Sequence, residues 1–185
     1  MWLLIFSAPC LAKDWMNIFP LKTTRAEVVQ MLGKPQTNQS DESEYFEIDK
    51  QTVTFRWTRP NCYGQNSIIE NQPISLDALV FQITVEPKEP NDKRYKKIVS
   101  ELNEDSSDST DSKKSKYKRS LSNYVDCLIG ADGTSCTITN TEKGLGYSDS
   151  KAGIISIYYF PTNKEIKTWE ETHQPCKVEQ DEKLN

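Results

Sequence analysis

The residues with the clearest chemistry in this 185-residue chain are its cysteines. Cys10 lies in an apolar N-terminal run, and four more follow at wide spacings: Cys62, Cys127, Cys136 and Cys176. An even number of cysteines favours disulfides in an exported chain. We favour Cys127–Cys136 as a local loop closure and Cys62–Cys176 as a long-range link, although spacing alone leaves all three pairings of four cysteines open.

The sequence predicts neither a metal site nor a cofactor site. The cysteines form no C-x-x-C pair, and the single histidine, His173, lies three residues before Cys176. A zinc site would therefore need ligands scattered along the chain. His173 falls in a polar segment and is most simply an exposed surface residue.

The sequence contains no familiar catalytic motif. It has no G-x-S-x-G, P-loop, dinucleotide fingerprint or H-E-x-x-H, and a serine triad would depend wholly on His173. Carboxylates are plentiful, but none lies in a strand-and-loop context that would desolvate it and tune its pKa for acid–base chemistry. We therefore expect a non-enzymatic function.

The N-terminal run predicts export. Residues 2–12, WLLIFSAPCLA, resemble the apolar core and cleavage site of a secretory signal, with cleavage after Ala12. The usual basic segment is missing, so either the signal is atypical or the true start lies upstream; a buried N-terminal strand is the alternative. Because Pro9 before Cys10 fits a lipoprotein site poorly, we expect a secreted or periplasmic protein rather than a lipoprotein.

The composition narrows the class of partner. The formal net charge is −4 and the isoelectric point is about 5.2, which argues against nucleic acid. No segment approaches the ~20 apolar residues of a transmembrane helix. The expected partner is therefore another envelope or extracellular protein.

A short helix is predicted between residues 21 and 35. Thr24 and Glu27 form a capping box, in which each side chain accepts the backbone N–H of the other residue. Gly33 tolerates the left-handed conformation at a helix C-terminus, and Pro35 prevents continuation. The residues between them supply an apolar stripe: Val28, Met31 and Leu32. A helix of about ten residues is marginal alone, so it must pack on the strands that follow.

Alternating apolar and polar residues predict two sets of strands. The first set covers residues 44–48, 51–58 and 78–86, and the second covers 136–140, 145–148 and 154–160. In the third strand one face is apolar: Leu79, Phe81, Ile83 and Val85. The last strand is apolar on both faces, with Ile155, Ile157 and Tyr159 on one and Ile154, Tyr158 and Phe160 on the other. It is therefore either central in the sheet or covered by a helix on one face. Helical spacing predicts further helices at 93–103 and, as a short turn, at 163–169.

These elements indicate an α+β fold, with short helices packed on one face of an antiparallel β-sheet and a flexible charged insert. The expected parts are a signal-like segment 1–12, a helix plus three-strand module 13–100, a charged Ser-rich linker 101–120, a second β-rich segment 121–176 and a disordered tail 177–185. The second β-rich segment either completes the sheet or forms a second small module. The basic stretch 113–119 could suit nucleic acid or anionic lipid, but the acidic run 101–111 neutralises it locally.

The open sheet face and its loops form the expected binding surface. Its aromatic candidates are Trp57, Tyr63, Tyr158 and Tyr159, for which core packing is the alternative role. The long irregular loop 61–75 supports an alternative function, because such loops in small domains are often functional. That alternative is a small hydrolase or a protein inhibitor that acts through this loop.

Several stretches resemble a family of uncharacterised exported bacterial proteins of the Acidobacteria type: DWMNIFPLKTTRAEVVQMLGKP, VTFRWTRPNC, LDALVFQITVEPKE, TNTEKGLGYS and GIISIYYFPTNKE. The L-G-x-P end of the first helix is also similar to the SmpA/OmlA (BamE-like) outer-membrane assembly lipoproteins and to β-lactamase inhibitory protein. The similarities to the BamE-like lipoproteins and to β-lactamase inhibitory protein both imply helices on one face of an antiparallel sheet. Neither similarity identifies a functional residue in this chain. This chain lacks a lipobox and carries a charged insert, and in both respects it differs from the compact members of these families.

Overall fold

The computed structural model describes residues 13–37, 43–64, 68–69, 74–89, 93–104, 123–130, 133–150 and 153–176. The helices are α1 (Arg25–Leu32), α2 (Lys93–Glu104) and α3 (Asn163–Thr172). The strands are β1 (Gln36–Thr37), β2 (Glu44–Ile48), β3 (Gln51–Thr58), β4 (Cys62–Tyr63), β5 (Leu79–Pro87), β6 (Asn123–Gly130), β7 (Gly133–Asn140), β8 (Leu145–Ser150), β9 (Gly153–Tyr159) and β10 (Gln174–Pro175). The predicted α+β class with an antiparallel sheet is confirmed.

The two halves of the chain share one sheet. Within the described residues, eight strands follow the order β1-β2-β3-β5-β9-β8-β7-β6, and each pairs antiparallel with its neighbours. The halves meet where β5 pairs with β9, with Ile83 opposite Tyr159 and Val85 opposite Ile157. The second β-rich segment therefore extends the first sheet.

The core lies between this sheet and the helices α1 and α2. Val28 of α1 and Leu102 of α2 are fully buried in the same apolar cluster as the sheet residues. Aromatic rings fill its centre, with Phe55 edge-on to Phe46 at 5.4 Å and stacked on Trp57 at 5.6 Å. Each such buried side chain contributes roughly 1.5–3 kcal/mol of hydrophobic stabilisation.

Helix α1 has both of its predicted ends. The Thr24–Glu27 capping box is present, and Gly33 ends the helix with φ of 87°. Met31, however, is 49% exposed, so it lies outside the buried stripe that the spacing predicted. Arg25 attaches α1 to β2, because Nε and Nη2 donate to the two carboxylate oxygens of Glu44 at 2.8 and 2.7 Å.

Two β-bulges displace residues from the faces that simple alternation predicts. On β5 the register passes from Gln82 to Val80, which leaves Phe81 as the extra residue, half-buried and outside the core cluster. On β9 the register passes from Ser156 to Ile154, and the extra residue Ile155 is 44% exposed. The expectation that Phe81 shares a face with Ile83 and Val85, and Ile155 with Ile157 and Tyr159, is therefore wrong, because a bulge shifts the alternation by one residue.

Some expected segments lie beyond what the structure describes. Helix α2 continues through Glu104, so the first four residues of the expected linker are helical. The remainder of that linker, the signal-like segment 1–12 and the tail 177–185 lie outside the described residues. In the part of the chain that is described, none of the helices has the length and apolar character of a membrane span.

Candidate functional site

A disulfide brings the C-terminal end of α3 to the segment that follows β3. Cys62 and Cys176 are bonded across a sequence separation of 114 residues, which is the long-range pairing that the sequence analysis favoured. The bond is flanked by a short parallel pair of strands, β4 and β10. The Cys176 backbone N–H also donates to the Tyr63 carbonyl at 2.9 Å. We call the disulfide, the β4–β10 pair and this hydrogen bond the disulfide frame; together they hold the C-terminal end of α3 beside β4.

Trp169 of α3 is held by contacts on its edge and on one face. Its indole Nε1–H donates to the Cys62 carbonyl at 3.2 Å. The imidazole of His173, one helical turn later, stacks on the indole with ring centroids 3.8 Å apart and planes inclined by 13°. His173 is half-buried, rather than exposed as the sequence analysis expected.

A pocket of about 270 Å³ opens between α3, β4 and the bulge of β5. We call it the Trp169 pocket. Three aromatic side chains line it: Tyr63, Phe81 and Trp169. Three aliphatic side chains complete most of the wall: Leu21, Ile68 and Ile166. The bulge supplies Phe81 to this pocket by taking it out of the core register.

Glu170 is the charged residue that lines the Trp169 pocket. It is exposed, and no ion pair joins it to another described residue. Its acidic neighbours on α3 are compensated, since Glu165 pairs with Lys22 at 3.3 Å and Glu171 pairs with Lys167 at 3.9 Å. Among the described residues, the pocket therefore combines apolar walls with one negative charge that no ion pair compensates.

The four aromatic residues proposed for a binding surface do not come together. Only Tyr63 lines the pocket. Trp57 is fully buried and Tyr159 is 5% exposed, so both serve the core and leave no accessible face for a partner. Tyr158 is half-buried, and its hydroxyl lies 2.8 Å from Ser148 Oγ, which in turn lies 2.7 Å from Thr137 Oγ1. Tyr158 thus belongs to a hydroxyl network across β7, β8 and β9.

The pocket residues Phe81 and Trp169 were missed by sequence reasoning. The position of Phe81 depends on a bulge, and no local pattern in the sequence indicates it. Trp169 did have a local signal, because Ile166 and Trp169 are three residues apart and such residues share one face of a helix. The helix α3 that carries them also extends beyond the predicted turn, to Thr172.

Of the two cysteines in the second expected disulfide, the structure describes the side chain of only one. Strand pairing places Cys127 opposite Cys136, and Cys136 is disulfide-bonded. The Cys127 side chain lies outside the described residues. The Cys127–Cys136 bond therefore stays a prediction.

The glutamates with a shifted pKa among the described residues all have it lowered. No cluster of three or more histidine, cysteine or acidic side chains could hold a metal ion there. Hydrogen bonds from Thr24 lower the pKa of Glu27, and hydrogen bonds from Thr52 and Lys13 lower the pKa values of Glu47 and Glu101, respectively. A general acid would need a raised pKa instead.

The loop 61–75 supplies pocket walls rather than reactive groups. Its described contributions to the Trp169 pocket are Tyr63, Gly64 and Ile68. None of these is a nucleophile of the serine or cysteine type or a carboxylic acid. The described part of the loop therefore offers no support for the hydrolase alternative.

Comparison of the chain with protein-family models, with curated proteins and with solved structures found no match. The resemblance to exported bacterial proteins and to the BamE-like fold therefore stays a prediction.

Proposed function

We propose that this chain is an exported, non-enzymatic binding module that receives an apolar group in the Trp169 pocket. The observation that carries the proposal is the framed pocket itself. Its aromatic walls come from three separate segments, and a disulfide and a hydrogen bond to Trp169 hold two of them, β4 and α3, together. A concave apolar site with few polar groups is typical of binding sites.

The frame reduces the cost of binding. A ligand that orders loose side chains loses part of its affinity to their conformational entropy. Here the Trp169 ring is already fixed by the His173 stack and by its bond to the Cys62 carbonyl. The site is therefore preorganised on the α3 side, which favours binding over a purely structural role.

The disulfide supports export. Structural disulfides form and persist in oxidising compartments such as the periplasm and the extracellular space. The Cys62–Cys176 bond would have no comparable stability in a reducing cytosol. Together with the signal-like residues 2–12, it favours a location in the bacterial envelope or outside the cell.

Binding of the neutral fluorescent dye Prodan tests the pocket. We expect a blue-shifted emission with the oxidised chain, and loss of that shift in Phe81→Ser, which removes one aromatic wall. Ile155→Ser is the matched control, because Ile155 is also the extra residue of a bulge but lies outside the pocket. A Phe81→Ser variant that binds Prodan like the unaltered chain would exclude this pocket as the binding site.

A peptide map without reduction, made on chain secreted by a bacterial host, tests export. We expect a mature N-terminus after Ala12 and a peptide pair linked through Cys62 and Cys176. An intact Met1 and free thiols at both positions would contradict export to an oxidising compartment.

A further inference from the structure

The Trp169 pocket combines two features that together select a type of ligand. The first is its aromatic wall of Tyr63, Phe81 and Trp169. None of the ring pairs among the described residues joins these three side chains to one another, so their faces are not used up by mutual stacking. The face of an aromatic ring carries negative charge density and attracts a cation.

The orientation of Trp169 suits this role. His173 covers one face of the indole at 3.8 Å, and the opposite face stacks on none of the other described rings. The only hydrogen-bond donor of the indole is already occupied by the Cys62 carbonyl. The ring therefore presents π-density to the pocket rather than an N–H group that would repel a cation.

The second feature is the carboxylate of Glu170. It borders the pocket, and it has no basic partner among the described residues. Glu170 is exposed, so its attraction for a charge is modest, but its sign favours a cation and disfavours an anion at this site. The formal net charge of −4 has the same sign.

The apolar walls further narrow the type of cation. A primary ammonium has three N–H donors. The Glu170 carboxylate can accept only part of them, and the aromatic and aliphatic carbons that form most of the wall offer no acceptor to the rest. A trimethylammonium group has no N–H donor and presents only methyl surface. The volume of about 270 Å³ lies below the about 300–1,000 Å³ of pockets for drug-sized ligands, and so suits a small compound.

We infer that the Trp169 pocket binds a small trimethylammonium compound, with its cationic head against Tyr63, Phe81 and Trp169 and its charge balanced by Glu170. This inference rests on the proposed function, because it names the ligand class of the same pocket. It requires no chemical step: the compound is bound and released unchanged.

Choline and its uncharged isostere 3,3-dimethylbutan-1-ol provide the test. Both are titrated into the oxidised full chain, and binding is followed by calorimetry and by the Trp169 indole N–H signal in proton–nitrogen NMR spectra. The two compounds have the same shape, so their difference reports the charge. We expect choline to bind about tenfold or more tightly, as cation–π and carboxylate contacts together would give.

The Glu170→Gln variant distinguishes the contribution of the carboxylate to binding from that of the aromatic rings. We expect choline to bind about three- to tenfold more weakly to this variant, with the isostere unaffected. Glu171→Gln is the matched control, since it removes the same charge from the next exposed residue, outside the pocket. We expect both ligands to bind Glu171→Gln like the unaltered chain.

The outcomes distinguish the two proposals. If the isostere binds as tightly as choline, or if Glu170→Gln and Glu171→Gln behave alike, the trimethylammonium inference is overturned. If neither compound binds but Prodan does, the inference is also overturned, while the binding module stands. If Prodan fails as well, the pocket is not a binding site and both proposals fall.

Discussion

Replacement of both Cys62 and Cys176 by serine removes the bond that frames the Trp169 pocket. The bond joins residues 114 apart in the sequence. The double variant avoids a free thiol, and it leaves the neighbouring hydrogen bonds possible, from Cys176 N–H to the Tyr63 carbonyl and from Trp169 Nε1 to the carbonyl of residue 62. Most of the expected loss in the free energy of unfolding therefore comes from the unfolded chain, which regains its conformational freedom.

The magnitude follows from the length of the closed loop. In the chain-entropy description, a loop of about 100 residues corresponds to about 4.7 kcal/mol at 25 °C, with a logarithmic dependence on length. A separation of 114 residues therefore gives about 5 kcal/mol as the upper value for the lost free energy of unfolding. This is comparable to the lower end of the about 5–15 kcal/mol that stabilises a typical domain.

Urea unfolding followed by circular dichroism measures this loss. With a denaturant slope of about 2 kcal/mol per molar urea, the midpoint should fall by up to about 2.5 M. Under reducing conditions that break the bond in the unaltered chain as well, the difference between the two proteins should disappear. A midpoint within about 0.3 M of the unaltered chain under oxidising conditions would refute the argument.

Two further predictions concern the core and its edge. Glu44→Gln should lower the free energy of unfolding by about 2–3 kcal/mol, because Glu44 is 3% exposed and binds Arg25 through both oxygens. Glu47→Gln, which weakens the exposed pair with Lys88, should leave the midpoint of the same urea titration nearly unchanged. Burial raises the pKa of Tyr159, so its stabilising contribution is present below the unfolded-state pKa of about 10 and declines as pH rises above it. Tyr159→Phe should therefore lose less stability than the unaltered chain between pH 9 and 11, and equal losses would contradict this sign.

Elements governed by neighbouring residues were predictable. The capping box of α1 and its Gly33 end are local, because Thr24, Glu27 and Gly33 act on backbone groups within one or two turns. The main strands of the first half were also predictable, since alternation along β2 and β3 reports burial directly. The capping box at the start of α3, between Thr162 and Glu165, is equally local, although the prediction of this helix did not use it.

Elements that depend on strand pairing were not predictable. Whether the second half extends the sheet is decided by the β5–β9 pairing, which joins distant segments. Strand β6 was missed, although it pairs with β7 over its full length. The core role of Trp57 was left open, because an aromatic residue on an alternating strand faces either the core or a partner.

The sequence by itself determined the local parts of this protein: the capped helix α1, the alternating strands, and a set of cysteines in which Cys62–Cys176 was one favoured pairing. Only the tertiary structure decided the Trp169 pocket. A bulge removes Phe81 from the core face, and the disulfide brings Trp169 and Tyr63 to the same pocket. The physical reason is that a bulge and a cavity are set by the register and packing of distant segments, whereas sequence patterns report the preferences of neighbouring residues.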